Sequence, residues 1–149
     1  MMQNKLFELI STVKNVVKNL TIMLPNNIKV QQRITDTYGK TIDNPAELYV
    51  TLNDMCMKPI DPENDKEGMI GISLVKVCID DTSQEQKTML HPGNYIQLTI
   101  SSTSGLDGDA VNKMHEIIRN YGGISDTYRV PELGKDMFIA HISSVPVCG

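Results

Sequence analysis

The sequence predicts a two-layer α+β sandwich, and three observations lead there. Apolar residues recur at helical spacing in some segments and alternate with polar ones in others, so both kinds of element are present. The segments run helix, strand, helix, strand, strand, helix, strand, strand, which sets the helices between antiparallel hairpins. A chain of 149 residues fits one domain, 1–149, and such a chain buries about two thirds of its unfolded surface without needing a disulfide or a metal.

From Asn4 to about Met23, Leu6, Leu9, Ile10, Val13, Val16, Val17 and Leu20 form the apolar stripe of a helix, with Lys14, Asn15, Lys18 and Asn19 opposite. Pro25-Asn26-Asn27 breaks it. Ile28, Val30, Gln32 and Ile34 then alternate as a strand that runs into Asp36-Thr37-Tyr38-Gly39, a turn composition. Asn44 can cap a second helix that Pro45 opens, since a first-turn proline loses no hydrogen bond. Leu48, Thr51, Leu52, Met55 and Cys56 give its apolar face, and Pro59 ends it. Pro62 to Gly68 is a solvated loop. From Met69 to Asp80 a long strand places Ile70, Ile72 and Leu74 on one face and Val75, Val77 and Ile79 on the other, a slip of phase that predicts a bulge at Leu74-Val75. The polar stretch from Asp81 to Gly93 joins it to the next strand as an antiparallel hairpin.

That next strand is where a functional site is expected. Ile96, Leu98 and Ile100 alternate with Gln97, Thr99 and Ser101, and the segment Ser101-Ser102-Thr103-Ser104-Gly105 turns the chain before a helix that begins near Asp107. Val111, Met114, Ile118 and Tyr121 mark that helix, and Gly122-Gly123 ends it. Strands around Ile124–Val130 and Met137–Ser143 close the domain, with Pro131 to Lys135 as their turn.

Composition excludes several function classes. The net charge of -4 gives no basic footprint for nucleic acid. Cys56, Cys78 and Cys148 lie far apart, with no Cys-x-x-Cys pair or neighbouring histidine, so neither a disulfide framework nor a zinc site is expected and a reducing, cytoplasmic setting is the simplest reading. No apolar run approaches a membrane span of ~20 residues. His91 and His141 have no acidic or cysteine partner at catalytic or ligand spacing. The nine methionines fall mostly on apolar faces as core filler.

Asn44-Pro45-Ala46-Glu47-Leu48 through Asp61, Asn94 through Ser101, and Ile117 through Ile124, followed by Pro131 through Phe138, stand in an order and spacing that resemble the catalytic, ATP-binding domain of bacterial sensor histidine kinases. That domain is a branch of the superfamily of gyrase and the mismatch-repair ATPases, and the resemblance spans nearly the whole chain. It implies a mixed, mostly antiparallel sheet covered on one face by three helices, ATP with magnesium as the family's ligands, and a response regulator or a partner histidine kinase as the interacting protein. A second copy of the chain is a further partner class.

The family's chemical motifs are altered here. Its helix carries two asparagines one turn apart, the second a magnesium ligand; aligned without gaps on Leu48 and Leu52, these positions are Asp54 and Lys58. An ammonium has donors only, so Lys58 repels a metal and could touch a phosphate directly. Asp61 matches a family aspartate near the helix end and is equally an ordinary Asp-Pro turn. The family's Asp-x-Gly-x-Gly is reduced to Ser102 in place of the adenine-binding aspartate and to Gly105 as the remaining glycine, a loss of about 1.5–3 kcal/mol of charge-assisted hydrogen bonding. Leu106-Asp107-Gly108-Asp109-Ala110 leads straight into the last helix, where the family has a mobile lid and a second glycine motif.

These departures predict a degenerate domain, a pseudokinase that keeps the fold, lacks catalytic and metal-ligating residues, binds no cofactor productively and acts through protein interaction in a phosphorelay. Asp54, Lys58, Asp61, Ser102 and Gly105 are the remnant nucleotide positions. A rival reading is a functional kinase domain binding ATP and magnesium, with Asp54, Asp61 or Asp107 in the aspartate role and the dimerisation domain elsewhere. Another is a histidine phosphotransferase-like adaptor, for which Met114-His115-Glu116 offers a phosphoacceptor; against it, His115 falls on the domain's last helix, where a surface histidine is expected.

Overall fold

The structure, a computed structural model, describes residues 7–35, 41–79 and 91–143. The elements are β1 (Phe7–Glu8), α1 (Leu9–Met23), β2 (Ile28–Ile34), β3 (Thr41–Ile42), α2 (Pro45–Met57), β4 (Gly68–Ile79), β5 (Gly93–Ser102), α3 (Gly108–Asn120), β6 (Ile124–Val130) and β7 (Lys135–Ser143). β1 and β3 pair as a two-stranded ribbon, and the rest form a five-stranded sheet ordered β2-β4-β5-β7-β6. β2 runs parallel to β4, and the other neighbours are antiparallel. The sheet is therefore mixed and mostly antiparallel, and three helices cover one face, as the sequence implied.

The helix ends follow from their residues. Asn44 accepts a hydrogen bond from the Glu47 N–H at 3.2 Å and Pro45 opens α2, while Asp107 accepts from the Ala110 N–H at 3.0 Å to cap α3. At the far end of α3 the Gly123 N–H reaches the Ile118 carbonyl and the Gly122 N–H the Arg119 carbonyl, with Gly122 at φ 80°. That pair of hydrogen bonds with a left-handed glycine stops the helix cleanly.

Alternation along the strands sends Ile70, Ile72 and Leu74 of β4, Ile96, Leu98 and Ile100 of β5, and Phe138, Ala140 and Ile142 of β7 toward the helices. They form one core with Val13, Val16 and Leu20 of α1, Leu48, Leu52 and Met55 of α2, and Met114, Ile117 and Ile118 of α3. Among the described residues no helix is long and apolar enough to cross a membrane.

Four expectations are corrected. The first helix does not reach back to Asn4 within the described chain: Phe7 and Glu8 are strand, held by pairing with Ile42 and Thr41, and Asn4 itself lies outside the described residues. The short β3 had no signal in the sequence. β4 has no bulge, since it pairs with β5 without interruption from Ile70↔Ser102 to Ile79↔Gly93. Beyond Leu74 the helix-facing positions are Lys76, half-buried, and Cys78, exposed, while Val75, Val77 and Ile79 are half-buried on the other face; the apolar residues change face because burial does. Finally, Cys78 is disulfide-bonded, against the expectation of free thiols, whereas Cys56 is free and buried. The turn at Asp36–Gly39, the Asp80–Leu90 part of the hairpin loop and Cys148 lie outside the described residues.

Candidate functional site

The site begins where β5 ends. Ser102 is fully buried, and its hydroxyl accepts a hydrogen bond from the Ser104 N–H at 3.1 Å. This is a serine turning its own chain, and it leaves the side chain facing the protein. Thr103 is stitched to β4, its N–H donating to the Met69 carbonyl at 3.1 Å and its Oγ1 accepting from the Met69 N–H at 2.9 Å. The Gly105 N–H donates to the Ser102 carbonyl, the Leu106 N–H to Asp136 Oδ2 at 3.2 Å, and the Asp107 N–H to the Met55 carbonyl of α2 at 3.0 Å. Every main-chain N–H from Thr103 to Asp107 is thus bonded within the protein. A phosphate-binding turn needs those groups pointing outward and free.

Gly105 adopts φ 89°, and a Cβ there would meet nothing closer than Asp136 Oδ2 at 3.4 Å. The turn's left-handed backbone, with no crowding from a neighbour, is what demands glycine. Asp107, offered by sequence as a substitute for the adenine-binding aspartate, spends its carboxylate on the α3 cap.

On α2, Asp54 and Lys58 stand one turn apart and form an ion pair at 3.9 Å, both about half exposed. Such a pair adds little stability, though it settles what each group faces. A magnesium ion at this helix position would meet an ammonium and compete with it for the neighbouring carboxylate. The residues present do not fit the metal. Asp61 is exposed and its carboxylate accepts from the Glu63 N–H at 3.0 Å, closing the turn that its Asp-Pro pair predicts.

A cavity of about 300 Å³ lies between the start of β2, the loop after α2 and the turn after β5, lined among others by Asn27, Ile60, Asp61, Lys66 and Ser104. Of the five positions that the sequence singled out it receives Asp61 alone. Asp54 and Lys58 are brought to each other, and Ser102 and Gly105 to the same tight turn.

Sequence reasoning missed two residues that shape the site. Asp136 of β7 holds the turn through Leu106 and is itself held by Arg129 at 2.9 Å; its partners lie far along the chain, so no local pattern marks it. Asn53, next to Asp54, is buried and faces α1, accepting from Asn19 Nδ2 at 2.8 Å while donating to the Tyr49 carbonyl. The asparagine of this helix is structural.

The histidines are accounted for. His115 is half-buried between α3 and β6, Nδ1 lying 2.6 Å from Ser125 Oγ and Nε2 2.9 Å from Thr127 Oγ1, with its ring against Phe138. Both nitrogens are engaged, whereas a phosphoacceptor needs one free. His141 sits on the face of the sheet opposite the helices, where burial lowers its pKa from 6.5 and Asp126 partly opposes the shift.

No protein-family model and no curated protein matches the chain. Solved structures do match it in fold. The cytoplasmic segment of the histidine kinase QseC superposes with a TM-score of 0.61 at 8% identity, covering 94% of this chain and 78% of that one. The catalytic domain of the histidine kinase ThkA gives 0.56 at 14% identity, covering 96% and 97%. The Acinetobacter baumannii histidine kinase AdeS gives 0.57 at 14% identity, covering 97% and 69%. The three-helix, five-strand architecture is that of a histidine-kinase ATPase-like domain.

Proposed function

We propose that the chain is a degenerate histidine-kinase-type domain of two-component signalling, which does not bind ATP productively and acts by binding other proteins in a phosphorelay. The shared fold supports a kinase-like ATPase ancestry, and with it a response regulator or a partner histidine kinase as the class of interacting protein; the cytoplasm as its place rests on that ancestry alone, since the disulfide at Cys78 removes the argument from free thiols. One observation carries the loss of nucleotide binding: the five residues from Thr103 to Asp107 are the whole connection between β5 and α3, and each of their N–H groups is bonded inside the protein. Nothing in so short a connection is left to close over a triphosphate. Lys58 paired with Asp54 supports the same reading at the metal position.

Isothermal titration of the full chain with ATP and ADP, with and without magnesium, tests the proposal. No heat of binding is expected in any of the four titrations. Micromolar, magnesium-dependent binding overturns it.

A further inference from the structure

We infer that the groove between α1 and β2 docks an extended, acidic segment of a partner protein, taken up as an added strand on the outer edge of β2, which no described residue pairs with. The inference names the surface through which the protein-binding role proposed above would work, and it rests on that reading.

β2 is the terminal strand of the five-stranded sheet. The Gly68 N–H donates to the Asn27 carbonyl and the Thr35 N–H to the Leu74 carbonyl, both at 2.9 Å, which fixes the direction of the ladder between β2 and β4. Odd-numbered residues from Asn27 to Thr35 turn their main-chain groups toward β4, so Val30, Gln32 and Ile34 turn theirs outward. Three alternate residues presenting N–H and C=O together are the template on which strand addition works. Edges are usually shortened, bulged, broken by proline or guarded by charged side chains; Lys29 and Arg33 guard β2 against cationic or identical strands and leave it open to an acidic one. β2 runs seven residues with no proline.

Beside that edge lies a groove of about 460 Å³ lined by Lys14, Val17, Lys18, Thr21, Ile22 and Gln32. Lys14 and Lys18 stand one turn apart on α1, and Lys29 and Arg33 project from the opposite face of β2; all four are exposed. Neither α1 nor β2 contains a carboxylate, in a chain whose net charge is -4. The ion pairs among the described residues are Lys58–Asp54 and Arg129–Asp136, so none of these four cations is neutralised there.

An added strand points its side chains alternately to the two faces of the sheet. One set would lie over the groove, against Lys14, Lys18 and the 72%-exposed Ile22, and the other against Lys29 and Arg33. Acidic residues on either set meet a cation, and an apolar residue on the groove side meets Val17 and Ile22. A second copy pairing through its own β2 would set Lys29 and Arg33 against their counterparts. Charge therefore selects an acidic partner over self-association.

The test uses the full chain and a fluorescein-labelled octapeptide of alternating glutamate and valine, followed by anisotropy and by amide chemical shifts. Binding is expected to weaken as salt is raised, to shift the amides of Val30, Gln32 and Ile34, and to be absent for the lysine–valine counterpart. The Lys14→Glu/Lys18→Glu variant should lose about tenfold in affinity. So should Gln32→Pro, which deletes an outward N–H and no ladder bond, as an edge strand tolerates. If Gln32→Pro proves unfolded, the lysine variant at exposed helix positions still decides the matter. Failure of the acidic peptide to bind, equal binding of the basic one, or unchanged affinity in the lysine variant overturns the groove. Nucleotide titration separates the two levels: magnesium-dependent ATP binding removes the proposed function, whereas a silent nucleotide titration with no peptide binding removes the groove alone.

Discussion

His141 lies across from Gln97 on the face of the sheet opposite the helices, with the Gln97 amide 3.0 Å from its Nε2. The amide donates, so the ring accepts as neutral imidazole. Burial depresses the folded-state pKa below the ordinary 6.5, and the Asp126 carboxylate offsets part of that. The unfolded chain then binds a proton that the folded one refuses, and the stability present above pH 6.5 is lost as pH falls through the folded-state value. The urea midpoint should drop on acidification in this window, and His141→Gln should flatten the drop; equal slopes in the two proteins would disprove the linkage. None of this was legible in the sequence, where His141 has no ionisable neighbour at short range. Its surroundings come from strands whose pairing only the fold defines.

Secondary structure was largely readable because the cues are local. Asn44-Pro45, Asp107 and Gly122-Gly123 set helix ends by chemistry that operates within a few residues, and each acts at the end it marks. The imagined bulge in β4 shows the limit: hydrophobic phase reports burial, and burial on a sheet changes wherever the covering layer ends. β1 and β3, two residues each, exist through their mutual pairing and leave no periodicity to detect. The contact between α1 and α2 was equally hidden, since Asn19 and Asn53 read as helix-surface residues until the helices are packed. Asn53→Ala removes the acceptor for Asn19 and the donor to Tyr49 in a nearly closed interface, and should cost about 1–2 kcal/mol by urea denaturation with an unchanged m value. An Asn19→Ala/Asn53→Ala double variant should lose less than the sum of the single ones.

For the molecule as a whole, the order of elements identified the architecture, and the family resemblance implied a mixed sheet, while nothing in the residues of β2 marks its parallel pairing with β4. The cooperative core offers a built-in probe. Cys56 lies among Leu52, Met55 and the sheet with no exposure, and burial pushes its thiol pKa up to about 12. It should be inert to a disulfide reagent in the native state and react in step with global unfolding, its rate rising along the same urea curve as the loss of helix signal. Fast labelling in buffer would show a loose core around α2.

The turn after β5 also limits which substitutions the chain can accept. Position 102 is closed to water and its hydroxyl is committed to the Ser104 N–H. An aspartate placed there would bury a carboxylate in a space shaped for a hydroxyl, at about 3 kcal/mol or more. A carboxylate at this position could face outward only after the turn had been opened, and opening it means surrendering the bonds to Met69, Asp136 and Met55 that hold β4, β7 and α2 to this end of the sheet. Each step of that opening gives up a bond the chain now holds, so no single substitution at position 102 turns this corner into an outward-facing anion site.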